Sequence, residues 1–247
     1  MKCLFKLQIK APSLLARLRP LNVRQCTPRS LNPRRRECIF DFKLELLLTV
    51  LFLCLWTIPS SGAVNCELNY PTSDVARLFP ESTSFKTDYF SFSKRGGEPL
   101  LRKIEARLGG VPALFAPLDV PYTLYVIYKG DRKVGYVHGV NQKGQFGVLE
   151  VFVSLDMNGI IKAFYIQRMA GPWARKFTSP AFGKQFMGLS LNDFEHFDPV
   201  SGKGSGKAAA IRNPAPEAVT DFLGLLRAVK KNLVLMDEFY YSTEKGK

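Results

Sequence analysis

The sequence predicts an α+β domain, an antiparallel meander of about four strands packed with several helices and closed by a long amphipathic helix. Three observations predict it. The apolar pattern is helical up to residue 110, alternates between residues 122 and 167, and becomes helical again near the C-terminus. The alternating stretches are separated by Gly130-Asp131, Asn141 to Gly144 and Asn158-Gly159, turn-forming runs that suit consecutive hairpins. The last stretch, "NPAPEAVTDFLGLLRAVKKNLVLMDEFYY", spaces its apolar residues by three and four.

Taken in order, "TSDVARLFPESTSFK" (72–86) reads as a short helix that Ser73 can cap and Phe79-Pro80 ends. "GGEPLLRKIEARLGG" (96–110) is a clearer helix. Pro99 suits its first turn, Leu100, Leu101, Ile104 and Leu108 form its stripe, and Gly109-Gly110 stops it. The strands follow at 122–128, 133–140, 145–156 and 160–167, rich in Val, Ile, Tyr and Phe. After them, Thr178 or Ser179 can cap a helix with Pro180 in its first turn, and Phe182 and Phe186 share one face. Ser190 and Asp193 start a second short helix, with Leu191, Phe194 and Phe197 free to pack. In the final helix Val219, Phe222, Leu226, Val229, Leu233 and Met236 form a core-facing stripe.

Charge divides the chain at about residue 63. Residues 1–63 carry eleven Lys/Arg against three Asp/Glu, and residues 64–247 carry 24 against 18. More than half of the net +14 therefore lies in the first quarter, which argues against a nucleic-acid partner for the rest. That quarter ends in an apolar run, Leu46 to Ile58, followed by Pro59 and the small residues Ser61, Gly62 and Ala63. The run is shorter than the roughly 20 residues of a membrane span but matches the apolar region of an export signal. The basic leader before it is longer than a signal needs. Three readings stay open: a signal cleaved after Ala63, an uncleaved anchor touching the membrane through residues 46–58, and a buried core helix. The sequence thus divides into a leader at 1–63 and a domain at 64–247, placed in the periplasm or cell envelope.

Cys3, Cys26, Cys38 and Cys54 all lie in the leader, which leaves Cys66 alone in the domain and no internal disulfide. Two histidines and one cysteine do not make a dedicated zinc site, so no metal is expected. His138 reads as a strand residue facing solvent or a polar neighbour, and His196 as a helix-end residue. No nucleophile–base pair stands out. Apolar content of 46% excludes wholesale disorder.

"SGKGSGKAAAIRNP" (201–214) imitates a phosphate-binding loop. The nucleotide-binding pattern needs Gly, four residues, then Gly-Lys-Ser/Thr. Here Ser201 takes the first glycine position and Ala208 the position of the magnesium-binding hydroxyl. Nucleotide hydrolysis is excluded. What remains is a basic surface loop, or an anion site in which Lys203 and Lys207 act with backbone N–H groups.

Several stretches resemble a known family: "VARLFPES", "KVGYVHGVNQKGQFGVLEVFVSLDMNGIIKAFYIQR" with Asp156 and Gly159 at its hairpin, and "FTSPAFGKQFMGLS" with Phe182, Gln185, Phe186 and Gly188. In this order they resemble the FMN-binding domain of the Rnf and sodium-pumping quinone reductase complexes and of nitrous-oxide-reductase regulators. The resemblance implies a flavoprotein in electron transfer, outside the cytoplasmic membrane, with a membrane or extracytoplasmic redox protein as partner. The family's signature is a Ser-Gly-Ala-Thr stretch before the last helix, whose threonine carries FMN through a phosphoester in the covalent members. This chain reads "GKAAAIRNPAPEAV" there, and no threonine occurs between Thr178 and Thr220. Covalent members often carry Glu-Thr-Pro-Gly after the fourth strand, where this chain has "QRMAGPWARKFTS".

A flavin is planar and its phosphate dianionic, so an indole beside cations can hold it without a covalent bond. The expected cofactor is therefore non-covalent FMN. Its candidate ligands are Arg168, Trp173, Arg175 and Lys176, with Lys203 and Lys207 as further phosphate ligands. The alternative is a flavin-free module of the same fold that serves as a scaffold or binds a partner, and the missing threonine favours it.

Overall fold

The computed structural model describes residues 66–110 and 120–242. The leader, its apolar run and Cys3, Cys26, Cys38 and Cys54 lie outside the described residues. Among the described residues, no helix is long and apolar enough to cross a membrane.

The fold is α+β, with one antiparallel five-stranded sheet in the order β1–β2–β3–β4–β5. The strands are β1 (Ser84–Phe90), β2 (Tyr122–Lys129), β3 (Arg132–Gly144), β4 (Gly147–Asp156) and β5 (Ile161–Arg168). Four match the expected meander, and β1 is an addition to it. Its residues 84–86 fall in the stretch "TSDVARLFPESTSFK", whose helix, α1, covers Pro71–Leu78 only. Strand β1 is an edge strand with a ragged exposure pattern and little alternation to betray it. The cap also differs from expectation. Ser73 lies inside the first turn, where its hydroxyl donates to the Tyr70 carbonyl, and Asp74 accepts the Tyr70 N–H.

The β3–β4 hairpin is longer than the turn signals suggested. Asn141 to Gly144 continue the ladder, pairing with Glu150 to Gly147, which leaves a tight turn at Gln145-Phe146. At the β4–β5 hairpin, Asp156 Oδ1 accepts the N–H groups of Asn158 and Ile160, each at 2.9 Å. Gly159 takes φ 78° there, a conformation that favours glycine.

Both faces of the sheet are covered, as alternation along the strands shows. Leu124 and Val126 face the larger core, while Tyr125 and Ile127 face a smaller one. The smaller core is closed by α1 and by Cys66 and Leu68, and Leu68 N–H donates to the Tyr125 hydroxyl. Burial pushes the Cys66 thiol up, out of the range where thiolate chemistry operates. Gly139 is required by the same layer, since a Cβ there would lie 2.4 Å from the Phe152 ring.

The larger core takes α2 (Phe92–Arg95), α3 (Gly97–Arg107), α4 (Ala174–Phe177), α5 (Pro180–Lys184), α6 (Leu191–Glu195) and α7 (Val219–Met236). Ser179 caps α5 as expected, its hydroxyl accepting the Phe182 N–H. Ser190 and Asp193 form a reciprocal box at the start of α6. Helix α7 is less amphipathic than its stripe implied. Val219 is 53% exposed, whereas residues 228–236 are buried throughout, Lys230, Lys231 and Asn232 included. A five-residue π turn, Asp237–Tyr241, continues α7. Phe239 packs on Phe90 and Phe92, Tyr240 hydrogen-bonds Asp88, and the Tyr241 hydroxyl donates to the Asp156 carbonyl at 2.9 Å. Glu238 accepts from Lys103 at 2.8 Å and Arg107 at 2.5 Å, tying the same turn to α3.

His138 on β3 is fully buried and faces a polar neighbour rather than solvent. The Asn232 amide nitrogen donates to the carbonyls of Val151 and Ala228, at 3.1 and 3.2 Å. Asn232 Oδ1 is thus left to accept from His138 Nδ1 at 2.7 Å. The lone pair on Nε2 has no partner, and the ring lies 5.6 Å from Phe90 and 5.9 Å from Tyr122. Burial lowers the imidazole from 6.5 to about 4, against the upward pull of the Asn232 hydrogen bond. The unfolded chain takes up this proton below pH 6.5 and the folded chain only near pH 4, so stability falls as pH drops through that window. Between pH 7 and pH 4.5 this group should remove about 2.5 kcal/mol. Urea titrations at the two pH values check it. The His138→Gln variant should lose that much less between them than the parent does.

Candidate functional site

The six candidate ligands fall in three places. Arg168 ends β5, opposite Glu150 in the ladder, and its guanidinium meets the Glu150 carboxylate at 2.5 Å. Gln167 donates to the same carboxylate at 3.1 Å. Arg168 is therefore an ion-paired surface residue on the β4–β5 side.

Trp173, Arg175 and Lys176 share one turn at the start of α4. Trp173 is half-buried and packs on the larger core, while Arg175 and Lys176 are exposed. The Lys176 ammonium lies 4.9 Å from the indole centroid and 4.0 Å from Glu217 Oε1. This turn is followed directly by α5, whose Phe182 and Phe186 are buried against Phe164 of β5. Packing of these three rings fixes where α4 and α5 sit.

Lys203 and Lys207 belong to the loop 201–214, which is built as a hairpin. Two short strands, β6 (Phe197–Asp198) and β7 (Lys203–Gly204), pair there. Asp198 organises the turn by accepting the Ser201 hydroxyl at 2.6 Å and the Val200 N–H at 2.8 Å. Those bonds, the Ser201 hydroxyl first, hold its carboxyl below the usual range. Lys207 meets Asp193 of α6 at 3.6 Å. Burial works against ionisation of Asp193, but the hydrogen bonds from Ser190 and the Lys207 charge outweigh it and keep the carboxyl low.

The segment 208–217, in the place of the missing Ser-Gly-Ala-Thr signature, begins with a 3-10 turn at Ala208–Ala210. Ala208 is fully buried and Thr220 stands exposed on the first turn of α7. The segment is fastened to α5 by one side chain. Gln185 Oε1 accepts the Arg212 N–H at 2.8 Å, and its Nε2 donates to the Arg212 carbonyl at 3.2 Å. A primary amide matches a peptide unit in this way, one donor and one acceptor on each side. Gln185 and the Lys176–Glu217 contact bring the Trp173–Lys176 turn beside segment 208–217. Lys207 remains with α6, Lys203 with β6, and Arg168 with Glu150.

Sequence reasoning had quoted Gln185 as a motif residue without giving it a role. Arg212 and Glu217 carry no sequence signal, and Asp193, legible as a helix start, shows nothing in sequence of its contact with Lys207. Each lies on a different element from its partner, and single charges carry no periodic signal. A cleft of about 340 Å3 between β5 and α5 is lined by Phe164, Phe177, Pro180 and Gly183, together with Arg77 and Lys184. Arg77 lies 3.9 Å above the Tyr165 ring and pairs with Asp74 at 2.9 Å. Among the described residues, no cluster of three or more His, Cys, Asp or Glu could hold a metal ion.

The residues at segment 208–217 do not fit an esterified flavin, because alanines stand where the hydroxyl would be and Ser201 is bound to Asp198. The Trp173 indole and the Lys176 ammonium adjoin in the turn beside that segment, and Arg175 and Arg212 are exposed. No protein-family model matches the chain. No curated protein matches it. Among solved structures, the chain is similar in fold to the crystal structure of Shewanella oneidensis NqrC, with 12% sequence identity, a TM-score of 0.47, and coverage of 73% of this chain and 91% of that one.

Proposed function

We propose that the protein is an electron-transfer module that holds FMN non-covalently where the Trp173–Lys176 turn meets segment 208–217. One observation carries this reading. Gln185, at the end of the helix that follows the basic, aromatic turn, hydrogen-bonds both backbone groups of Arg212, in the stretch that the resemblance matches to the family's flavin-carrying signature. Arg175, Lys176 and Arg212 would take the phosphate through charge-assisted hydrogen bonds, and Trp173 would lie against the ring. Lys203 and Lys207 would guide the phosphate from further off, since Asp193 already holds Lys207. Arg168 would act through its charge alone, partly offset by Glu150. FMN, when bound, supplies the redox chemistry, and these residues bind and orient it. In the same reading, residues 64–247 form this domain behind a leader at 1–63 that serves as export signal or anchor. The redox partner is then a membrane or extracytoplasmic protein.

A second reading is favoured by one feature, the alanines at 208–210. The fold would then work as a flavin-free scaffold or partner-binding module. The visible spectrum of the purified protein separates the two. The first reading expects flavin bands, or their appearance on adding FMN, with all of the flavin released to the supernatant by acid. It also expects the Arg175→Ala/Lys176→Ala double variant to bind FMN at least about tenfold more weakly. A colourless protein that takes up no added FMN establishes the second reading. Flavin retained on acid-precipitated protein overturns the non-covalent one.

A further inference from the structure

A cavity of about 600 Å3 lies between α6, the β4–β5 hairpin and the C-terminal half of α7. None of the six candidate flavin ligands lines it. Its volume falls within the usual range for small-molecule sites. The walls are apolar at Leu191, Leu233 and Val234 and polar at Asn158 and Ser190. Lys230 also lines it, although this lysine is only 8% exposed.

The charge of Lys230 is the unusual feature. Its ammonium donates to the Phe197 carbonyl at 3.0 Å, which uses one of three N–H donors. The cavity's other cation, Arg107, is neutralised by Asp237 at 2.8 Å and Glu238 at 2.5 Å. No carboxylate among the described residues pairs with Lys230 in this way. Asp198 and Glu195 attract the ammonium only from beyond ion-pair distance, so its burial is offset in part, and an anion in direct contact would offset more. The anion must be small in charge, because Glu195 and Asp237 line the same cavity and would repel a dianion. The rest of the ligand must be apolar to match Leu191, Leu233 and Val234.

We propose that this cavity binds a monocarboxylate with an apolar body, its carboxylate on Lys230 and its body against Leu191, Leu233 and Val234. The site is independent of the flavin reading and stands whether or not FMN is bound.

Thermal melts of the purified full chain with octanoate, 1-octanol and octylammonium test it. Octanoate should raise Tm by about 2–4 °C at saturation, while the alcohol and the amine should not. The Lys230→Met variant, which keeps the length of the side chain, should lose the response to octanoate. An absent shift, an equal shift with 1-octanol, or an unchanged shift in Lys230→Met overturns the proposal. Should Lys230→Met fail to fold, amide chemical-shift mapping of the parent protein decides. Octanoate-dependent changes centred on residues 157–160 and 190–192 support the site, and changes centred elsewhere refute it.

Discussion

Replacing Phe90 with alanine should cost about 3–5 kcal/mol, because the side chain is 1% exposed and its neighbours cannot close the space. Its ring centroid lies 4.4 Å from Phe239, 5.6 Å from Tyr122 and 5.6 Å from His138. One side chain on the edge strand thus joins β1, β2, β3 and the C-terminal π turn, so the loss will reach all four. Urea unfolding should show a large fall in midpoint with an unchanged slope. The adjacent Tyr89 supplies the internal control. It is 56% exposed, and Tyr89→Ala should change stability by no more than about 0.5 kcal/mol. If the two variants behave alike, β1 is not anchored through Phe90.

Asn232→Ala is the second large effect, expected at about 3 kcal/mol. It strips the hydrogen-bond partner from three buried groups at once: His138 Nδ1 and the carbonyls of Val151 and Ala228. Most of the loss comes from leaving the His138 N–H dry and unpaired, since the Ala228 carbonyl keeps its helical bond within α7. Asn232→Asp separates the two halves of the network. A carboxylate still accepts from His138 but cannot donate to either carbonyl, so stability should again fall. The negative charge would also favour the imidazolium, raise the His138 pKa towards its unfolded value and flatten the acid loss of the parent. Urea midpoints measured from pH 7 to pH 4.5 read both effects. An Asp variant as acid-sensitive as the parent would show that His138 does not cause the acid limb.

The four central strands were legible because each buries alternate residues on two sides, and Val, Ile, Tyr and Phe recur at that spacing. Strand β1 was hidden for the opposite reason. "SFKTDYF" runs along an edge, and of its seven residues only Phe90 is buried. Lys230 and Lys231 stand outside the apolar stripe read along α7 and are nonetheless buried, since a buried lysine looks like an exposed one in sequence. Burial pulls Lys231 from 10.5 to about 8, while its ammonium donates to the Asn141 carbonyl at 3.3 Å. At the candidate flavin site, residue types were readable and their partners were not. Trp173 and Lys176 stood out as an aromatic and basic run, but the Gln185–Arg212 clamp joins residues 27 positions apart with no pattern between them. The glycine-lysine loop imitates a phosphate loop in composition alone, and Asp198 gives it an ordered turn.

The wide turn at Asp237–Tyr241 sets the rotational phase of the tail. With one more residue per turn than an α-helix, it aims three successive aromatics at three separate anchors: the Phe90–Phe92 pair, Asp88 and the Asp156 carbonyl. Deleting a single residue there would convert the end of the helix to ordinary winding while leaving everything before Met236 in place. Phe239, Tyr240 and Tyr241 would then each point at a neighbour's socket, so this segment tolerates substitution far better than any change of length.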